Sequence, residues 1–128
     1  MLRCLVVEDM AATRLIYRRM LDRLGLQAVE AEDALLALEL CREAMPDLVL
    51  ADWNLPKMDG LAFVVALRQL PGGDKPKVLM CTIENSMEHI ERALAAGIDE
   101  YVMKAFTIDI LRDKLRQVGI EVGGMEGS

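Results

Sequence analysis

From Leu48 to Ala51 four apolar residues run without a polar interruption and end on a carboxylate, Asp52. Such a run predicts a strand buried on both faces, as inside a parallel sheet. Short β-rich runs at 2–7, 27–31, 77–81 and 100–103 predict four more strands. Between them the apolar positions recur at helical spacing. Over 11–24, Ile16, Met20 and Leu24 stand four apart with Arg14, Arg18 and Arg19 elsewhere. That spacing predicts a helix buried along the first three and wet along the arginines. Gly25 follows, where a left-handed helix stop is least strained for glycine. Further helices are predicted over 33–44 (stopped by Pro46), from Gly60 to about 70, over 86–96 and over 107–118. Ser86 and Thr107 are the expected caps of the last two, and Gly97 closes the first of them. Lys114 and Arg116 fall in the final turn, where cations favour the helix dipole. Pro71-Gly72-Gly73-Asp74 reads as an exposed turn. Residues 119–128, with four glycines and no apolar period, read as a flexible C-terminal tail.

Five strands alternating with five helices on short loops predict an α/β domain over 1–118, a parallel sheet covered on both faces. A chain of 128 residues is long enough to bury roughly two-thirds of its unfolded surface. Hydrophobic content of 53% with 28% charged residues excludes a disordered chain. The net charge of −6 argues against nucleic acid as a partner. No apolar run approaches the roughly 20 residues that span a bilayer, and the first residues enter a strand and then acid rather than a signal peptide. Cys4, Cys41 and Cys81 lie in apolar segments, are odd in number and lack metal spacing. They read as reduced, packed thiols, and the expected location is cytoplasmic.

The chemistry gathers at the strand ends. The first strand runs into Glu8 and Asp9, the third ends at Asp52, the fourth at Thr82 and the fifth at Lys104. A parallel sheet brings these ends to one rim, where ligands bind in open α/β folds. Crowded carboxylates repel one another, and a hard divalent cation with oxygen ligands relieves the repulsion. Mg²⁺, which keeps waters and phosphate oxygens beside few protein carboxylates, suits so small a cluster. Lys104 and the Thr82 hydroxyl are suited to a tetrahedral oxyanion. An aspartate flanked by a divalent cation and a lysine can attack phosphorus, giving an acyl phosphate on Asp52.

These residues resemble a known family. Glu8-Asp9, Asp52-Trp53-Asn54-Leu55-Pro56-Lys57-Met58-Asp59-Gly60, Thr82 and Ala96-Gly97-Ile98-Asp99-Glu100-Tyr101-Val102-Met103-Lys104 match the receiver domain of two-component response regulators, of the stand-alone CheY-like type, over residues 2–118. The resemblance implies a flavodoxin-like (βα)5 fold with strand order 2-1-3-4-5. It implies that Asp52 accepts the phosphoryl group and that Asp9 and Asp52 bind Mg²⁺ directly. Glu8 would act largely through water, and the main-chain carbonyl of Asn54 would complete the protein ligands. Thr82 and Tyr101 would be the pair that reorients, and Lys104 would contact the phosphoryl group. The implied donor is a sensor histidine kinase or phosphotransfer protein. Output would go to a protein partner, in chemotaxis or through an adaptor or kinase regulator, by the face of the fourth helix, fifth strand and fifth helix. No enzymatic activity is expected beyond self-phosphorylation and autodephosphorylation of Asp52, and no nucleic acid or membrane partner.

Two positions depart from the family pattern. Ala105 stands where proline usually follows the lysine in a cis peptide. A cis bond before a non-proline residue costs about 3 kcal/mol, so Lys104–Ala105 is expected to be trans, with the ammonium displaced. Ile83 replaces a usually small residue and is expected to crowd the phosphorylation pocket. These departures support an alternative, a receiver-like interaction module that works without phosphorylation. An aspartate-nucleophile phosphatase would need a general acid and a cap for which no residue or insertion is found. A flavin-binding role lacks a phosphate-cradling loop after the first strand. His89, the one histidine, is expected on the wet face of the fourth helix. Trp53 is expected to border the site without a chemical role. Met87 and Met103 read mainly as core filler, and Arg112, Lys114 and Arg116 as solvated charges.

Overall fold

The computed structural model describes residues 1–122. Five strands, β1 (Arg3–Val7), β2 (Gln27–Ala31), β3 (Leu48–Asp52), β4 (Lys77–Thr82) and β5 (Glu100–Met103), alternate with α1 (Ala11–Arg23), α2 (Ala34–Glu43), α3 (Gly60–Gln69), α4 (Met87–Ala96) and α5 (Ile108–Gln117). The strands form one parallel sheet in the order β2-β1-β3-β4-β5, the flavodoxin-like topology that the motifs imply. The wholly buried β3 lies at its centre.

The two-residue period of β3 divides its side chains between two cores. Val49 and Ala51 pack with Ala34, Leu38, Phe63, Leu67 and Ala93, which come from α2, α3 and α4. Leu48 and Leu50 pack with Tyr17, Leu21, Leu111 and Leu115, from α1 and α5. Each large side chain buried in this way stabilises the fold by about 1.5–3 kcal/mol. Helix starts follow their caps: Asp33, Asp59, Ser86 and Thr107 each accept a backbone N–H from the first turn. The three cysteines are free and buried, and burial pushes the Cys41 thiol up to about 11.

Two expectations are corrected. The buried stripe of α1 is Tyr17, Leu21 and Leu24, and Ile16 is 52% exposed. Adjacent helix positions differ by about 100°, and the choice between the two stripes is made by Phe106, on which the Tyr17 ring stacks at 5.1 Å. The chain also stays packed beyond α5: Ile120 and Val122 are buried among the α1 and α5 side chains. Gly119 (φ 87°) is the left-handed residue of a helix stop, with Ile120 N–H donating to the Leu115 carbonyl at 2.9 Å. The rest of the expected tail, 123–128, lies outside the described residues. Among the described residues no helix is long and apolar enough to cross a membrane.

Candidate functional site

Because β1 and β3 are neighbours, Glu8 and Asp9 emerge beside Asp52 at the carboxyl edge of the sheet. One carboxylate oxygen from each of the three lies within 4.8 Å of the others. Glu8 is only 1% exposed and Asp52 is also buried, whereas Asp9 faces solvent. From the end of β5, two strands away from β3, the Lys104 ammonium reaches Asp52 Oδ2 at 2.8 Å and Glu8 Oε1 at 3.4 Å. One cation among three ionised carboxylates leaves two negative charges uncompensated.

The strain of that crowding falls on Glu8. Burial, a hydrogen bond with Asp9 and the charge of Asp52 push its carboxyl up to about 6, against the opposing Met10 N–H and Lys104. Burial pulls Lys104 down, but its bonds to Asp52 and Glu8 outweigh that and leave its proton affinity raised. The donor set, all hard oxygens short of positive charge, fits a hard divalent cation such as Mg²⁺.

The loops are held by residues with separate duties. Arg14, read from the sequence as a surface charge, donates from Nη1 to the carbonyls of Glu8 (2.8 Å) and Asp9 (3.2 Å), and its Nε pairs with Glu30. No local pattern distinguishes it from Arg18, which also pairs with Glu30; the carbonyls of Glu8 and Asp9 beyond the end of β1 do. After β3 the chain folds back so that Gly60 N–H donates to the Trp53 carbonyl at 2.7 Å. A Cβ at Gly60 would collide with the Asp52 carbonyl oxygen, so only glycine allows the approach. Asn54 is exposed in the turn so formed. Lys57, with φ 71°, pairs with Asp33 at 3.1 Å.

Thr82 ends β4 one residue beyond Cys81, which lies opposite Asp52. It is 3% exposed, and its hydroxyl oxygen accepts Glu84 N–H at 3.1 Å and lies 3.0 Å from His89 Nε2. His89 is therefore not on the wet face of α4. Its side chain is 12% exposed, stacks on Trp53 at 3.5 Å between ring centroids, and faces Glu84 Oε2 with Nδ1 at 3.3 Å. Its place follows from Ser86, which accepts His89 N–H at 3.2 Å and starts α4 over the end of β4. Helical periodicity cannot see Trp53, which covers the other face of the ring. Tyr101, on β5 opposite Met80, is half-buried with Lys114 Nζ 4.6 Å above its ring.

The Lys104–Ala105 peptide is cis, correcting the expectation of a trans bond. Nor is the ammonium displaced: its two carboxylate partners and the bond from Lys104 N–H to the Thr82 carbonyl (2.9 Å) fix it in place. Ile83 is 68% exposed, and Met87 is exposed rather than core.

The family pattern described as response regulator receiver domain matches residues 4–116. The chemotaxis protein CheY of Pseudomonas aeruginosa is 32% identical over 124 residues, covering 96% of this chain and 100% of that protein. CheY1 of Helicobacter pylori is 35% identical over 119 residues, covering 91% and 96%. Among solved structures, CheY4 of Vibrio cholerae superposes with a TM-score of 0.88 at 30% identity, over 92% of this chain and 98% of that one. The receiver domain of the P. aeruginosa sensor histidine kinase PA1611, which has magnesium coordinated in its active-site cleft, gives 0.82 at 25% identity, over 92% and 98%. With its sheet order, its acidic rim and these relatives in agreement, the chain belongs to the response regulator receiver domains and is CheY-like.

Proposed function

We propose that this chain is a phosphorylation switch in which Asp52 takes a phosphoryl group from the phosphohistidine of a sensor histidine kinase or phosphotransfer protein. The observation that carries this reading is the meeting of Glu8, Asp9 and Asp52 with Lys104 at one edge of the sheet. Asp9, Asp52 and the Asn54 carbonyl would hold Mg²⁺, with Glu8 acting largely through water. Bound there, the ion supplies positive charge against the phosphoryl oxygens. One Asp52 oxygen attacks phosphorus in line, the phosphorus–nitrogen bond to the donor imidazole breaks, and an acyl phosphate forms. The Lys104 ammonium, already beside Asp52 Oδ2, neutralises charge on the transferring group. Water later attacks the same phosphorus, the bond from phosphorus to the carboxyl oxygen breaks, inorganic phosphate leaves and the carboxylate is restored, so the chemistry is confined to the phosphoryl group on Asp52.

The signal is a shift between two conformations biased by the new charge. The Thr82 hydroxyl turns toward the phosphoryl oxygens and Tyr101 moves into the space released. The face of α4, β5 and α5 changes shape for a protein partner in the cytoplasm; Met87 and Leu94 of α4 and Ile110 of α5 are exposed. Relatives named as chemotaxis proteins support a partner in that class of signalling.

A small phosphodonor such as acetyl phosphate tests this directly. With Mg²⁺, intact-mass measurement should find one added phosphate on the wild type. It should find none on Asp52→Asn, and none on the wild type in excess EDTA. An unmodified wild type would sink the switch and leave a phosphorylation-independent interaction module.

A further inference from the structure

We infer that His89, with its tautomer set by Glu84, holds the Thr82 hydroxyl away from Asp52 and competes with the phosphoryl group for it. The inference rests on the phosphorylation reading and adds a positioning residue that opposes the active state.

With the ring proton on Nδ1, the nitrogen that faces the Glu84 carboxylate at 3.3 Å, the other ring nitrogen, Nε2, is an acceptor, and it lies 3.0 Å from Thr82 Oγ1. The hydroxyl oxygen is already an acceptor for Glu84 N–H. Its single hydrogen therefore points at His89, and it cannot at the same time be given to a phosphoryl oxygen. Glu84 thus meets both members, Thr82 through its backbone N–H and His89 through a carboxylate 3.3 Å from Nδ1. The ring is fixed in this position by stacking on Trp53, beside the acceptor aspartate. Phosphorylation must break the bond between Thr82 and His89 before Thr82 can turn, and the net worth of one neutral hydrogen bond corresponds to about a fivefold change in an equilibrium constant.

The test uses beryllofluoride as the phosphoryl mimic, in saturating Mg²⁺, with affinity read by calorimetry. His89→Phe keeps a ring against Trp53 and removes the acceptor; it should bind the mimic about three- to tenfold more tightly. His89→Gln, whose amide oxygen accepts a hydrogen bond, should return toward wild type. In a Thr82→Ala background, His89→Phe should give no gain. A gain that persists without the hydroxyl, or no gain in His89→Phe, overturns the inference. Because His89 is the only histidine, its ring ¹⁵N spectrum is unambiguous. The resting protein should show the Nδ1–H tautomer, with an Nε2 signal that moves in Thr82→Ala. A resting ring protonated at Nε2 would also overturn the latch. Should the wild type take up no mimic while the spectrum shows the resting bond, the switch reading fails and the competition falls with it.

Discussion

Lys104 Nζ stands 2.8 Å from Asp52 Oδ2, which places an ammonium on the carboxylate that the proposed reaction must use. The same ammonium reaches Glu8, so a divalent cation entering the cluster meets a site already partly neutralised.

Removing that positive charge should therefore strengthen cation binding while weakening phosphoryl acceptance. For Lys104→Ala we expect Mg²⁺ to bind about tenfold more tightly, an electrostatic gain of about 1.4 kcal/mol that is reasonable for charges a few ångströms apart near a surface. Trp53 emission during a Mg²⁺ titration measures it. Weaker binding would mean that Lys104 organises the carboxylates more than it competes with the ion.

Glu8 gives a pH dependence whose sign is fixed. Its folded carboxyl titrates at about 6 against an ordinary 4.5, so the folded state binds this proton more tightly than the unfolded chain. The stability so gained is fully present below pH 4.5 and is lost as pH rises through about 6. Over that interval it amounts to about 2 kcal/mol. In urea unfolding without divalent ions, wild type should lose about that much relative to Glu8→Gln between pH 4 and pH 8. Equal losses in the two proteins would show that Glu8 is not the titrating group.

Gly60→Ala places a Cβ against the Asp52 carbonyl, and backbone on both sides leaves little room to yield. We expect a loss of about 3 kcal/mol or more in unfolding free energy. A thermal melt within a degree or two of wild type would show that the turn after β3 adapts.

Arg14 and Arg18 make a matched pair. Both reach Glu30, but only Arg14 is shown donating to the Glu8 and Asp9 carbonyls. Arg14→Ala should cost about 1–3 kcal/mol and weaken Mg²⁺ binding, whereas Arg18→Ala should stay within about 0.5 kcal/mol of wild type. Urea unfolding with a parallel Mg²⁺ titration separates them.

The strands, two of the helix caps and the acidic rim were legible in the sequence because each depends on local chemistry. An apolar run buries β3, Ser86 or Thr107 caps the turn beside it, and parallel strands must bring Glu8, Asp9, Asp52, Thr82 and Lys104 to one edge. What escaped depends on contacts that the repeat of apolar and polar positions does not record. Ile16 and Tyr17 are equally good stripe candidates until Phe106 arrives. His89 is an ordinary helical residue until Trp53 and Thr82 flank it. Gly119 looks like the start of a tail until Ile120 is seen to fold back onto Leu115. The cis bond before Ala105 runs against the intrinsic preference of a non-proline peptide, and no local pattern in the sequence marks it.

The ion pair between Glu8 and Lys104 joins positions 96 apart. Closing a loop of that length costs more chain entropy than closing the short connections within it, and the contact exists only where the whole of the sheet from β1 to β5 is in place. A half-made or proteolytically clipped copy would present an acceptor without its counter-charge.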